Sequence, residues 1–458
     1  MAAQNSDVEE KILSLLPPKT LMRFKLVSKR WYALISNPRF VDKHLSNFNS
    51  MHNNPSTSVF IKRLVVNEDT KESETVFSLL SFSNCSDDDS NDGGEPASFL
   101  LGVEDMEIPF PMTSLDTNRG ESLEIVGHCN GIICLSISRS TKVFLWNPAI
   151  RELKLLPPEP YLPHWTRTCS TAADYPKDVV TMPFFSDDPV FGYDPLLQDY
   201  KVVEIGFQGA YREEDNYVFH PPLAAVYTRG TNSWREISTD SLETETTNLW
   251  PGNFQMFFNG MCYWLGREQL KEGSIYDYME EEYVRKLIIS FDMSREVFHD
   301  ILLPYELINP PCITVWKESI ALFNLRDSDD ADSSNLLPYS DASDAAKFEC
   351  LDIWVMDGFA GVGYSWTKHL TLELREHPSQ SISSLWWDQT TLVMWNHELL
   401  MVSPNRSIVC YNLSSRRLKY LPIQSGSKDR EAVAAVYLNS IVSVVGDKKL
   451  QSRENVAM

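Results

Sequence analysis

Three groups of residues have the types that do chemistry, and none has the spacing. His128, Cys129 and Cys134 offer an imidazole and two thiols, the donor set of zinc. Their segment, HCNGIICL, matches no zinc spacing and alternates as a strand does, so packed strand residues are expected there. Gly358, Gly361 and Gly363 are spaced like a phosphate-binding loop, but such a loop needs a strand leading into a helix, and this stretch reads as a hairpin turn. Carboxylates are plentiful, at 63 Asp and Glu, and a glycosidase needs two across one bond; nothing singles out a pair. No G-x-x-x-x-G-K-[ST], H-E-x-x-H, G-x-S-x-G or kinase signature occurs. The expectation is a chain with no catalytic residue, no metal and no cofactor.

The elements that would position any site divide into two unlike parts. The chain has 458 residues, too many for one ordinary compact core unless it is a large closed β architecture. Its formal net charge is −22, which opposes general nucleic-acid binding, because phosphate contacts need clustered Lys and Arg. Residues 6–44 run against this trend: eight Lys and Arg face four Asp and Glu, a net +4, so the remainder carries −26. Hydrophobic residues make up 43% and aromatics 11%, enough for a sizeable core. The opening MAAQNSDVEE lacks the basic and apolar regions of a secretory leader, and no apolar run approaches a membrane span. The eight cysteines are scattered without a C-x-x-C pair and read as free thiols of a reducing compartment.

Residues 6–44 have helical periodicity. Ser6 and Glu9 stand at capping-box spacing ahead of Val8, Ile12, Leu15 and Leu16. Pro17-Pro18 predicts a stop. Thr20 is placed to cap a second helix with Leu21, Phe24, Leu26 and Val27, and Ser28 a third with Trp31, Leu34 and Ile35, ended by Asn37-Pro38. Three short helices cannot bury this many large apolar side chains, so some must face the rest of the chain or another protein.

From about residue 58 the pattern turns to β: short β-branched and aromatic runs separated by Gly, Asn, Asp and Pro. A degenerate unit recurs, strand, tight polar turn, then a strand with Trp or Leu-Pro, as in VFLWNPAIRELKLLP, AVYTRGTNSWREI and IVCYNLSSRRLKYLPI. Its turns fall at Asn147, Arg229, Asp292, Asp357 and Asn412. Repeated hairpins that cannot bury both faces alone predict an antiparallel propeller-like ring of kelch type, with a β-sandwich as the alternative. Trp146, Trp264 and Trp354 are expected in its core. Acidic, weakly apolar stretches at Asp87, Asp88 and Asp89, at Glu280, Glu281 and Glu282, and at Asp327, Asp329 and Asp330 read as solvated loops and as the candidate surface for a basic protein. The boundaries read from these shifts are 1–45 for the helical part, 46–440 for the β domain and 441–458 for a tail.

The run ILSLLPPKTLMRFKLVSKRWYALISNPRFVDKHL from Ile12 resembles a plant F-box. The ordered series HCNGIICL, LWNPAIRELKLLP, FGYDPLLQDYKVV, NSWREI, FNGMCYWL, SFDMSREVF, IWVMD and SWTK resembles the F-box-associated interaction domain. VEDMEIPFP, with PPKTLMRFK, is similar to the S-locus F-box group of the rose family. The opening NSDVEEKI departs from the Leu-Pro-Glu-Asp-like start of that family. The resemblance implies a non-catalytic, cytoplasmic or nuclear subunit that docks a Skp-type adaptor, and through it cullin, and captures a protein for ubiquitination. The adaptor-contacting pattern maps onto Ile12, Leu16, Pro17, Leu21, Phe24, Val27 and Trp31. For the S-locus group the implied target is a basic S-ribonuclease in pollen self-incompatibility. A paralogue with another protein target, or a propeller that binds or processes glycans, is the alternative. No nucleic acid and no membrane is expected as partner.

Overall fold

The computed structural model describes residues 2–50, 56–66, 73–84, 98–109, 122–137, 140, 142–160, 180–186, 189–212, 216–274, 285–307, 311–316, 318–327, 348–359, 363–373, 393–395, 398–402, 407–415, 417–424 and 434–446. Four helices come first: α1 Ala2–Leu13, α2 Pro18–Lys25, α3 Lys29–Ile35 and α4 Pro38–Ser50. Three details differ from the sequence reading, two of them for the same reason. Proline lacks the N–H that a first turn leaves without a helical partner, so it opens helices as readily as it stops them. Pro18 therefore starts α2, with Pro17 rather than Thr20 at the N-cap, and Pro38 starts a fourth helix where an end was expected. Asn37 Oδ1 accepts from the backbone N–H of Arg39 at 2.9 Å. The third difference is that α1 begins at Ala2, a turn ahead of Ser6. Ser28 does cap α3, accepting from the Trp31 N–H at 3.2 Å.

The rest is antiparallel β in six sheets. Given from the inner strand outward, blade one is Ala434–Tyr437, Ser56–Val66, Ser73–Asn84 and Ser98–Met106. Blade two is Leu123–Cys129, Ile132–Ile137, Val143–Asn147 and Glu152–Leu155. Blade three is Val190–Asp194, Asp199–Arg212, Leu223–Thr228 and Ser233–Ile237; its long second strand also pairs with Val180–Ser186 and Asn216–Phe219. Blade four is Thr247–Phe258, Met261–Leu270, Arg285–Asp292 and Val297–Leu302. Blade five is Cys312–Trp316, Ser319–Asp327, Phe348–Phe359 and Gly363–Glu373, and blade six is Val393–Trp395, Glu398–Val402, Ser407–Asn412 and Arg417–Gln424.

Each inner strand touches the next, and the last touches the first. The ring is thus a closed six-bladed propeller, the expected architecture, and not a sandwich. Closure is made by strands far apart in sequence: Ala434–Tyr437 pairs with Ser56–Val66 from Ile61 opposite Ala434 to Ser58 opposite Tyr437. The apolar core is correspondingly divided into six clusters, one between each pair of neighbouring blades, and a seventh among the helices. Trp146, Trp264 and Trp354 lie in them at 1%, 2% and 7% exposure.

The five repeat units prove to be the outer hairpins of blades two to six. In three of the five the polar turn residue is an acceptor for the turn itself: Asn147 Oδ1 takes the Ala149 N–H at 3.0 Å, Asp292 Oδ1 those of Ser294 and Arg295 at 2.8 and 2.9 Å, and Asn412 Oδ1 those of Ser414 and Ser415 at 3.1 and 2.7 Å. The Trp and Leu-Pro signatures belong together across blade boundaries. Trp234 Nε1 of blade three donates to Pro157 O, just past blade two, at 2.7 Å. Trp366 Nε1 of blade five donates to Leu302 O of blade four at 2.8 Å. An indole N–H finds its partner there while its ring fills the seam.

Two drawn boundaries move. Helix α4 runs across the 45/46 junction to Ser50. The segment from 441, read as a tail, is packed where it is described: Ile441, Val442 and Val444 are buried. Apolar side chains there are too valuable to the core to be left in water. No helix among the described residues is long and apolar enough to cross a membrane.

Candidate protein-docking surface

Helices α1 to α4 share one small core made of Leu13, Leu21, Ile35 and Phe40, joined by Ile441. Polar contacts pin α4 to the α1–α2 corner: His44 Nε2 lies 3.0 Å from Leu16 O, and Asn47 Nδ2 donates to Ser14 Oγ at 2.9 Å. Burial holds His44 below its ordinary imidazole range, against the raising effect of the Leu16 carbonyl, so it sits neutral in this seam.

This core leaves several large apolar side chains of the helices in water. Val8, Ile12, Leu15, Leu26, Val27 and Tyr32 are all exposed, Leu26 by 88%. Beside them is a groove of about 350 Å³ lined by Val8, Glu9, Ile12, Leu13, Leu16, Phe24 and Trp31. The Phe24 and Trp31 rings meet at 4.8 Å and form one wall. Glu9 is the polar member: its carboxylate accepts from Trp31 Nε1 and from Arg30 Nη2, each at 2.5 Å, and so fixes α1 on α3. A contiguous apolar groove with aromatic walls and a charged rim has the character of a protein-docking surface.

Of the residues expected to contact an adaptor, Ile12, Leu16, Phe24 and Trp31 come together in the groove. Val27 is exposed beyond the end of α2, and Pro17 is exposed at its start. Leu21 is a correction: at 0% exposure it belongs to the helical core and is closed to any partner. Its spacing from Leu16 and Phe24 suited either face, and the packing of α2 against α3 decides it. Val8 and Glu9 were missed, though Val8 stands one turn before Ile12 in the same periodic series.

The acidic candidates fall mostly outside the described residues: Asp87, Asp88, Asp89, Glu280, Glu281, Glu282, Asp329 and Asp330 all do. Asp327 ends the second strand of blade five, opposite Phe348. The flanking strands show that these segments are not equivalent. Residues 328–347 link the second to the third strand of blade five; residues 275–284 run from Glu272–Ser274, which pairs into the sheet of blade three, to the third strand of blade four; residues 85–97 link the third to the fourth strand of blade one.

Elsewhere the charged groups that are buried serve the fold. Lys201 Nζ lies 2.7 Å from both Asp194 Oδ2 and Glu296 Oε1, joining blades three and four. Burial raises the Asp194 carboxyl, but hydrogen bonds from Lys201, the Leu197 N–H and Ser294 outweigh it and hold the group below its ordinary range. Cys129 and Cys134 are buried thiols, and burial raises the Cys129 thiol further from reactivity. Among the described residues no group of three His, Cys, Asp or Glu is placed to hold a metal.

Comparison with known proteins agrees with this division. Residues 5–43 match the F-box domain, and residues 101–444 match the F-box associated beta propeller domain. An Arabidopsis thaliana F-box/kelch-repeat protein is 25% identical over 437 residues, covering 95% of this chain and 94% of its own. Another is 23% identical over 303 residues, covering 66% of this chain and 61% of its own. The F-box protein CPR1 of Arabidopsis thaliana is 25% identical over 430 residues, with 93% and 85% covered.

Proposed function

Since the chain belongs to the family of F-box proteins with an associated β-propeller domain, we propose that it is the substrate-recognition subunit of a Skp-cullin-F-box ubiquitin ligase. F-box proteins are in general non-catalytic adaptors, and the chemistry of this chain suits that role. The observation that carries the reading is the groove of Ile12, Leu16, Phe24 and Trp31, standing open on the module that matches the F-box. A Skp-type adaptor fills it; cullin and the ubiquitin-charged enzyme follow. The propeller holds a target protein beside them and raises its effective concentration at the ubiquitin donor.

The net charge of −26 on the remainder of the chain favours a basic target, through faster encounter more than through tighter contact. A basic S-ribonuclease is the target that the sequence resemblance supplies; the relatives matched support the family and do not extend to that target. The protein would work in the cytoplasm or nucleus, where the adaptor and cullin are found.

Reconstitution tests the reading. Full-length protein should co-purify with a Skp-type adaptor and cullin, and Ile12→Asp should abolish that while leaving the thermal unfolding of the β domain in place. Recovery of the same complex with Ile12→Asp would overturn it.

A further inference from the structure

The seven residues after the last strand, Leu438–Val444, lie against both parts of the molecule at once. Their contacts to the propeller are polar and specific. Asn147 Nδ2, fully buried, donates to Ser440 O at 3.2 Å and Val442 O at 2.8 Å. Arg229 Nη1 donates to Ser443 O at 2.7 Å. Glu152 Oε2 accepts from Ser443 Oγ at 2.7 Å and from the Val444 N–H at 3.0 Å. At the other end the Asn130-Gly131 turn is pressed so closely that a Cβ on Gly131 would stand 2.3 Å from Leu438 O. Between these anchors Ile441 faces the other way and completes the core of Leu13, Leu21, Ile35 and Phe40. Val442 and Val444 pack with Leu45 of α4 and with blades two and three.

We infer that Asn147, Glu152 and Arg229 are positioning residues: by clamping the Leu438–Val444 strap they hold the helical module at one angle to the propeller. The strap is the continuation of the strand that closes the ring, so closure of the propeller and seating of the helices are one event. The chain itself passes from α4 into Ser56–Val66, the second strand of blade one, through residues 51–55, so the strap holds the helices by packing alone. On the functional reading above, a fixed angle fixes the gap between captured target and ubiquitin donor. The clamp itself is a matter of geometry and stands without that reading.

Asn147→Asp isolates the clamp. The carboxylate keeps the acceptor for the Ala149 N–H, as Asp194 and Asp292 do in their own turns, but replaces the donor to the two strap carbonyls with a like-signed oxygen. Hydrogen exchange on the full chain should show amides of α4 and of 440–444 exchanging at least tenfold faster, with the described strands of blades four to six unchanged. Adaptor affinity should stay within twofold. Faster exchange confined to the Val143–Leu155 hairpin, with α4 and the strap as protected as before, would overturn the clamp. So would a tenfold loss of adaptor affinity, because the strap would then be part of the groove's own fold. Glu152→Ala, which removes the acceptor for Ser443 Oγ and the Val444 N–H and leaves the Asn147 turn bond in place, provides the same comparison if the aspartate variant does not fold. A wild-type chain that binds no adaptor defeats the functional reading, while the exchange comparison still decides the clamp.

Discussion

Ile12 and Leu21 have nearly the same sequence credentials and opposite roles. Ile12 is 57% exposed on the docking surface, and Leu21 is wholly buried beneath it. Leu21→Ala should therefore cost about 2–5 kcal/mol of helical-module stability, the usual range for a truncated core leucine. Ile12→Ala should leave the denaturant midpoint almost unchanged and act on adaptor affinity alone. Chemical denaturation followed by hydrogen exchange of the helical amides separates the two. A second residue-scale expectation concerns pH. Asp194 has its folded-state pKa below the unfolded value, so its stabilisation is present above the unfolded pKa and is lost as pH falls through the folded one. Asp194→Asn also leaves Lys201 buried with Glu296 alone, and breaking such a buried pair costs roughly 3–5 kcal/mol. Denaturant midpoints of the two proteins should differ most above about pH 4 and converge in stronger acid. A gap that widens on acidification would refute the assignment.

At the scale of elements, the seams between blades carry a testable signature. Trp234→Phe and Trp366→Phe each remove one indole-to-carbonyl bond while keeping most of the ring, so each should cost about 1 kcal/mol. Their sites share no partner, so the double variant should show the sum. Thermal unfolding of the set of four proteins measures this. The same elements show what was legible beforehand. Outer hairpins of blades two to six could be read because their turns need an Asn, an Asp or a left-handed residue, and sequence records that need locally; Arg151, Asn232 and Glu296 all have positive φ. Blade one could not be read as a unit, because its inner strand lies at 434–437, far from its other three in sequence. Helix ends at Pro18 and Pro38 misled for a different reason: proline marks a boundary without saying which side of it is helical. The groove was half legible. Periodicity named the apolar residues, but only the packing of α2 on α3 decided that Phe24 lines it and Leu21 does not.

On the scale of the whole molecule, a basic, apolar-surfaced helical module is seated on a strongly acidic closed ring, and the segment Leu438–Val444 packs where they join. On the proposed function this organisation would separate docking from recognition, so that each surface could be damaged without the other. The central claim is that the groove on the helices is the adaptor site. Titration calorimetry of a Skp-type adaptor into full-length protein tests it most directly, with Leu16→Asp in the groove and Leu155→Asp as a control. Leu155 is 54% exposed on the outer strand of blade two, away from the groove. A charge placed in the centre of the contact should cost about 2 kcal/mol or more, roughly thirtyfold in affinity. The account predicts that loss for Leu16→Asp and wild-type affinity for Leu155→Asp. Wild-type affinity for Leu16→Asp, in a protein that still unfolds cooperatively, would contradict it.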